Sequence, residues 1–237
     1  MFYCETLPPT GEIARLRGDE ARHATASRRL KVGDVLWLFD GRGLVAQARF
    51  QALHDRGREV EAIIEERQHL PPIQPAVHLV CALPKGDRAA VMLDMATQLG
   101  MASFTPLLCE RSVVKPGDGT LERLRRVCLE ACKQSRRAYL PDIRNAATLA
   151  EIAARGGVLW IAHPDGDAAN QIERVAHEPL TIAIGPEGGF SDDEVAQTVA
   201  HGAMRVALGK TILRVETAAV TLLGMTMLGT PASEKLR

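Results

Sequence analysis

The sequence has no apolar run long enough to cross a bilayer as a helix, which takes about 18 or more residues. No membrane span is therefore expected. Its first residues, Met1-Phe2-Tyr3-Cys4-Glu5, lack a basic stretch followed by an apolar one, so they do not read as a secretory signal. A cytoplasmic protein is the expectation. Cysteines number five, an odd and widely spread set with no C-x-x-C and no histidine pair to complete a zinc site. Only Cys128 and Cys132 are close, at a spacing that shares one helix face. Buried, reduced thiols and no metal follow. Net charge is absent too: 29 basic and 29 acidic residues cancel, which argues against an indiscriminate grip on nucleic acid. Neither G-x-G-x-x-G nor G-x-x-x-x-G-K-[ST] occurs, so the common phosphate-binding loops are excluded.

What is present is a globular composition, 46% apolar and 24% charged over 237 residues. That length suits one large domain or a small one joined to a medium one. Charge is balanced overall but not locally. From Leu121 to Asn145 the basic residues Arg123, Arg125, Arg126, Lys133, Arg136, Arg137 and Arg144 outnumber Glu122, Glu130 and Asp142. A second cluster is Arg22, His23, Arg28, Arg29 and Lys31. Two such patches on a neutral chain suit a bounded contact with phosphates or, equally, a solvated helix face.

The first seventy residues read as β-rich. Val35 to Phe39 leads through the hairpin signal Asp40-Gly41 into Leu44 to Phe50, and Arg58 to Ile64 offers another strand. Short strands with tight turns suggest a small barrel. Leu70-Pro71-Pro72-Ile73-Gln74-Pro75 then marks a domain boundary. Beyond it apolar strands (77–82, 103–108, 158–162, 180–184, 204–208) alternate with helical segments, Asp87 to Leu99 and Leu121 to Ala138 among them. This alternation predicts an α/β domain with a largely parallel sheet, whose ligand site lies beyond the carboxyl ends of the strands.

Two loops occupy that position. The strand Leu180 to Ile184 enters Gly185-Pro186-Glu187-Gly188-Gly189-Phe190, and Ser191-Asp192-Asp193-Glu194 follows as an S-x-x-E capping box. The three acidic residues disfavour a phosphate and favour a neutral or cationic ligand. After the last strand comes Leu208-Gly209-Lys210-Thr211-Ile212-Leu213-Arg214-Val215-Glu216-Thr217-Ala218, then an apolar helix from Ala219 to Leu228. That helix is apolar almost all round, so it should be buried, partly against a second subunit.

Those two loops, with Ala82 to Arg88, Leu99-Gly100, Thr105 to Leu107, Glu110 to Val113, Glu130-Ala131, Gln134-Ser135, Arg137, Pro141, His23, Arg29-Leu30 and Val32 to Asp34, carry a resemblance covering nearly the whole chain. It is to the bacterial 16S ribosomal RNA uridine-N3 methyltransferases, the RsmE-type branch of the SPOUT superfamily. The resemblance implies a PUA-like β-barrel RNA-binding domain at 1–72. It implies at 73–237 a SPOUT methyltransferase domain, an α/β fold with a mainly parallel sheet and a deep trefoil knot. It further implies a homodimer whose knot holds S-adenosylmethionine, acting on 16S rRNA or the assembled small subunit at the decoding-centre region. The cofactor would lie against Ile184, Gly185, Pro186, Gly188, Leu208, Gly209, Ile212, Leu213 and Thr217. RNA would meet His23, Arg29, Lys133, Arg136 and Arg137. The chain departs from the family at Met95, Gln98 and Thr211, where lysine, glutamate and arginine are usual, so no role is carried over to those three.

Uridine N3 is a protonated imide nitrogen at neutral pH and must lose that proton to attack a methyl group. A carboxylate can take it, or a cation can stabilise the charge left on the flanking carbonyl oxygens. Arg214 is the candidate stabiliser, and Glu216 and Glu187 are candidate bases. A knotted methyltransferase acting on another RNA or a ribose 2′-hydroxyl, and a non-catalytic RNA-binding relative, share these features.

Overall fold

The computed structural model describes residues 1–169 and 178–227. The chain forms two compact units: Met1–Pro72 with Cys132–Leu140, and Ile73–Ala131 with Pro141–Arg237.

In the first unit, strands β1 (Phe2–Tyr3), β2 (Ile13–Arg17), β3 (Val35–Phe39), β4 (Leu44–His54) and β5 (Glu59–His69) form one mixed sheet in the order β1-β3-β4-β5-β2. Alternation sets which side chains face inward. Ala14 and Leu16 of β2, and Val60, Ala62 and Ile64 of β5, are buried while their neighbours face outward. The long antiparallel pair of β4 and β5 shifts register at Gln47/Ala48 and again at Phe50/Ala52, which adds local twist. A short helix α1 (Gly18–Arg22) and a π-type turn (His23–Ser27) follow β2.

The segment 132–140 packs within this unit through the Asp40–Gly43 turn. Leu140 N–H donates to the Gly41 carbonyl at 2.9 Å and Gly43 N–H to the Ala138 carbonyl at 3.2 Å. The Tyr139 hydroxyl donates to the Leu70 carbonyl at 2.9 Å. A Cβ at Gly43 would run into the Tyr139 ring. The turn that reads as a hairpin signal is thus also a seat for an aromatic side chain. The reach of the preceding helix differs from expectation for a related reason. Helix α3 (Thr120–Ser135) stops three residues short of Ala138 because Arg136 takes a left-handed φ of 59°.

In the second unit every strand pairing among the described residues is parallel. The order is β12 (Met204–Ala207), β10 (Val158–Ala168), β11 (Leu180–Ile184), β6 (Val77–Cys81), β7 (Ser103–Leu108), β8 (Asp142–Ile143), and β9 (Ala147–Thr148) also pairs with β7. Both faces are covered, which is why the strands read as continuous apolar runs. Leu79, Cys81, Ile182 and Ile184 point to one core with residues of α2 (Arg88–Gln98) and α6 (Val215–Met227). Val80, Ile161 and Ala183 point to the other, with residues of α4 (Leu149–Ala153) and with Phe190 and Ala203, which flank α5 (Asp192–Ala200). Strand β10 runs six residues beyond the expected Ala162 by pairing a second time with β12 after a register shift. Helix α6 begins at Val215, earlier than expected, so Glu216 and Thr217 lie in its first turn; Leu228 is outside the described residues. All five cysteines are buried free thiols. Among the described residues no helix is long and apolar enough to cross a membrane.

Candidate functional site

Strand β11 sits between β10 and β6, and its carboxyl end opens into Gly185–Phe190. Gly189, at a φ of 69°, closes a turn by donating to the Pro186 carbonyl at 2.8 Å. Gly185 is favoured for a different reason: a Cβ there would come within 3.2 Å of the Phe190 ring, tighter than ordinary contact. Phe190 is buried in the core, so that ring cannot give way cheaply. Next comes the capping box read from the sequence. Ser191 N–H donates to Glu194 at 2.8 Å, and Glu194 N–H donates to the Ser191 hydroxyl at 3.3 Å.

Two arginines that the sequence did not single out hold this loop. Arg111, just past β7, donates through Nη1 to the Gly188 carbonyl at 3.0 Å and the Phe190 carbonyl at 3.1 Å. Beside it the Glu110 N–H donates to Glu194 Oε1 at 3.0 Å. Arg88, at the start of α2, places Nη2 3.4 Å from Glu187 Oε1 and Nη1 3.6 Å from Glu216 Oε1. Both arginines belong to stretches that carry the family resemblance. Their partners lie 77 and 99 residues further along, which no local pattern reports.

The second loop leaves β12, on the far side of β10 from β11. Leu208 and Leu213 pack against the core, while Gly209, Thr211 and Arg214 are exposed and Ile212 is 99% exposed. The Arg214 carbonyl accepts from Ala218 N–H at 2.8 Å, the first bond of α6, and its guanidinium meets no carboxylate among the described residues. Glu216 is buried apart from 12% of its side chain, and its Oε2 has no hydrogen-bond partner among the described residues. Thr217 faces out of the first turn. Burial drives the Cys81 thiol far above its ordinary range, and the charges of Cys109, Glu216 and Glu187 add to that. Two carboxylates with one arginine between them make this end of the sheet suited to a cation. Met95 is half-buried on α2, and the Gln98 amide donates to Asp94 at 2.8 Å.

All five residues expected to meet RNA fall in the first unit, and all cofactor and catalytic candidates fall in the second. Arg29 and Arg136 are exposed, each in a left-handed conformation, and Arg137 is half-buried. His23 sits edge-on to Phe2, ring centres 5.3 Å apart. Burial, then the charges of Arg28, Arg136 and Lys133, push the Met1 ammonium below its usual range against Glu20. Positive charge therefore gathers at one place on this unit. Lys133 stands apart from the other four, because its side chain is only 6% exposed and its Nζ lies 2.7 Å from Glu20 Oε1. Its ammonium is engaged within the protein.

The chain matches the family model described as an RNA methyltransferase domain over residues 71–227, and the RNA methyltransferase PUA domain over 16–63. It is 35% identical to the ribosomal RNA small subunit methyltransferase E of Mycobacterium bovis, covering 94% of this chain and 89% of that one. A solved structure of the enzyme of that name from Neisseria gonorrhoeae, bound to S-adenosyl methionine, superposes with a TM-score of 0.86 at 26% identity, covering 94% of each chain. A methyltransferase from Legionella pneumophila in complex with the same cofactor gives 0.85 at 27% identity, again over 94% of each. The fold, the two loops beyond β11 and β12 and these likenesses lead to one assignment: the chain belongs to the ribosomal RNA small subunit methyltransferase E family.

Proposed function

We propose that the protein transfers a methyl group from S-adenosylmethionine to N3 of a uridine in 16S rRNA of the small ribosomal subunit. The observation that carries this reading is the pair of loops at the carboxyl ends of β11 and β12, with Arg214 exposed at one and two carboxylates gathered by Arg88. The residues fit the cofactor. The loop after β11 turns tightly on Gly185 and Gly189, and Glu187 and Glu216 bring negative charge to this end of the sheet, which suits a sulfonium. Backbone groups of Ile184, Gly185, Gly188, Leu208, Ile212 and Leu213 would hold it, with Pro186, Gly209 and Thr217 as walls. When bound, the cofactor supplies an electrophilic methyl on a sulfonium.

The chain's own residues then have three tasks. They orient the acceptor nitrogen in line with the methyl group. Glu216 takes the imide proton, since it is the more buried of the two candidate carboxylates and keeps one oxygen uncommitted. Arg214 stabilises the negative charge left on the base. Arg29, Arg136, Arg137 and His23 contact the RNA backbone from the first unit, and Lys133 is left out of this set because Glu20 holds it. The target nucleotide must be unstacked to be reached. We read the working form as a cytoplasmic homodimer; the apolar α6, with Met225 41% exposed, supports a partner there. The strand order β12-β10-β11 supports a knotted path around the two loops.

Titration calorimetry is expected to show S-adenosylmethionine binding, and no heat at millimolar ligand removes the proposal. Mass spectrometry of 16S rRNA from a deletion strain is expected to lack one 3-methyluridine; an intact modification, or loss of a ribose methyl instead, overturns the assignment. Arg136→Ala is expected to weaken RNA binding and to flatten the plot of log affinity against log salt by about 0.7–0.9, as for one lost phosphate contact. An unchanged slope refutes that contact.

A further inference from the structure

Arg88 belongs to neither of the two loops, yet its guanidinium reaches both. Nη2 lies 3.4 Å from Glu187 Oε1, in the loop after β11, and Nη1 lies 3.6 Å from Glu216 Oε1, in the first turn of α6. Its Nε donates to the Lys85 carbonyl at 3.1 Å, which fixes the plane of the fork against its own loop. The side chain is 35% exposed, so it is partly shielded, and Glu216 is far more so at 12%. A planar, permanently charged fork is suited to hold two carboxylates at a set spacing in a way that a flexible ammonium is not. Arg88 Nη2 donates to Glu187 Oε1 at 3.4 Å, whereas the 3.6 Å contact with Glu216 is longer than a hydrogen bond, so Arg88 holds Glu216 by charge and spacing without consuming its acceptor capacity. Glu216 has one oxygen turned toward Arg88 and the other buried without a hydrogen-bond partner among the described residues.

We infer that Arg88 is a positioning residue: it ties the loop after β11 to the start of α6 and sets the place of the Glu216 carboxylate that takes the imide proton. Arg88 itself touches neither the methyl group nor the base. Its effect runs through Glu216, so it lies in the rate of the step and not in cofactor affinity. The inference rests on the proposed uridine methylation, and the same experiment separates the two.

Steady-state methylation of 16S rRNA and calorimetry with S-adenosylmethionine are measured for the wild-type protein, Arg88→Met, Glu216→Gln and the double variant. Arg88→Met is expected to lower kcat about thirtyfold or more with the cofactor Kd within about threefold. Added to Glu216→Gln, it is expected to cost less than about threefold further, because the two act as one unit. If Arg88→Met does not fold, Arg88→Lys replaces it in the same cycle, keeping the charge but losing the fork. Equal losses from the Arg88 change in both backgrounds, or a loss confined to cofactor affinity, overturn the positioning role while leaving the methylation reading in place. A wild-type protein that neither binds S-adenosylmethionine nor methylates 16S rRNA removes both.

Discussion

Arg214→Ala is expected to lower methylation by at least about 10²–10³-fold in kcat while the affinity for S-adenosylmethionine stays within about tenfold, a difference of roughly 1.4 kcal/mol. The asymmetry follows from where the residue sits. Its carbonyl starts the hydrogen-bond ladder of α6, so the backbone that carries the side chain is fixed. The guanidinium is exposed and meets no carboxylate among the described residues, so removing it disturbs little of the fold. What is lost is a preorganised positive charge, beside the loop after β12, for an imide nitrogen giving up its proton. The neutral backbone contacts proposed for Gly185, Gly188 and Leu213 do not depend on it. Single-turnover rates with excess enzyme, set against calorimetric affinities, check the split. Parallel losses in rate and affinity would make Arg214 a cofactor anchor and return the stabilising role to another residue.

Lys133→Met is expected to destabilise the first unit by about 3–5 kcal/mol, the usual result of removing one partner from a buried ion pair. Lys133 is 6% exposed and Glu20 16%, and their 2.7 Å contact is enclosed. Tyr3 N–H already occupies the other Glu20 oxygen at 3.1 Å, and the Met1 ammonium donates to the Lys133 carbonyl at 3.0 Å. Taking away the ammonium leaves a carboxylate that has lost its solvent and its counter-charge together. The double change Lys133→Met with Glu20→Gln should recover much of the loss, because no charge is then stranded. Urea unfolding measures both. A phosphate-contacting lysine behaves differently: stability holds and the salt dependence of RNA binding flattens, and that result would return Lys133 to the RNA surface.

Much of this molecule is legible in its sequence, and the boundary of legibility has a physical cause. The strand Leu180–Ile184, the Ser191 capping box and the burial of all five cysteines follow from residues within one or two turns of each other. Local periodicity and local hydrogen bonding decide them. Helix α3 shows the limit. Its basic face reads as one patch, yet Lys133 turns to a carboxylate 113 residues earlier while Arg136, three positions on, is exposed. A charge pattern on a helix does not say which cation meets water and which meets an acid from another segment. Arg88 and Arg111 escaped for the same reason, since nothing in their neighbourhood announces Glu187 or Gly188. The early start of α6 is a smaller case. Glu216 and Thr217 read as loop because they interrupt an apolar run, and the helix simply begins with them at its open end, where an acidic residue favours the helix dipole.

The strand order of the parallel sheet also bears on how the protein is made. Val77 of β6 pairs with Leu180 of β11, positions 180 and 77 being 103 residues apart. At about 5–20 residues per second, synthesis leaves one edge of β6 without its partner for roughly 5–20 s. The other edge is met much sooner, since His78 pairs with Ser103. A nascent chain therefore carries a half-finished apolar sheet, open on the β11 side, through much of translation. The later strands β11 and β12 join it from sequence that follows the 77–108 half by some seventy residues or more. The two strands whose carboxyl ends carry the glycine turn and the Arg214 loop are thus made after the half-sheet that they complete.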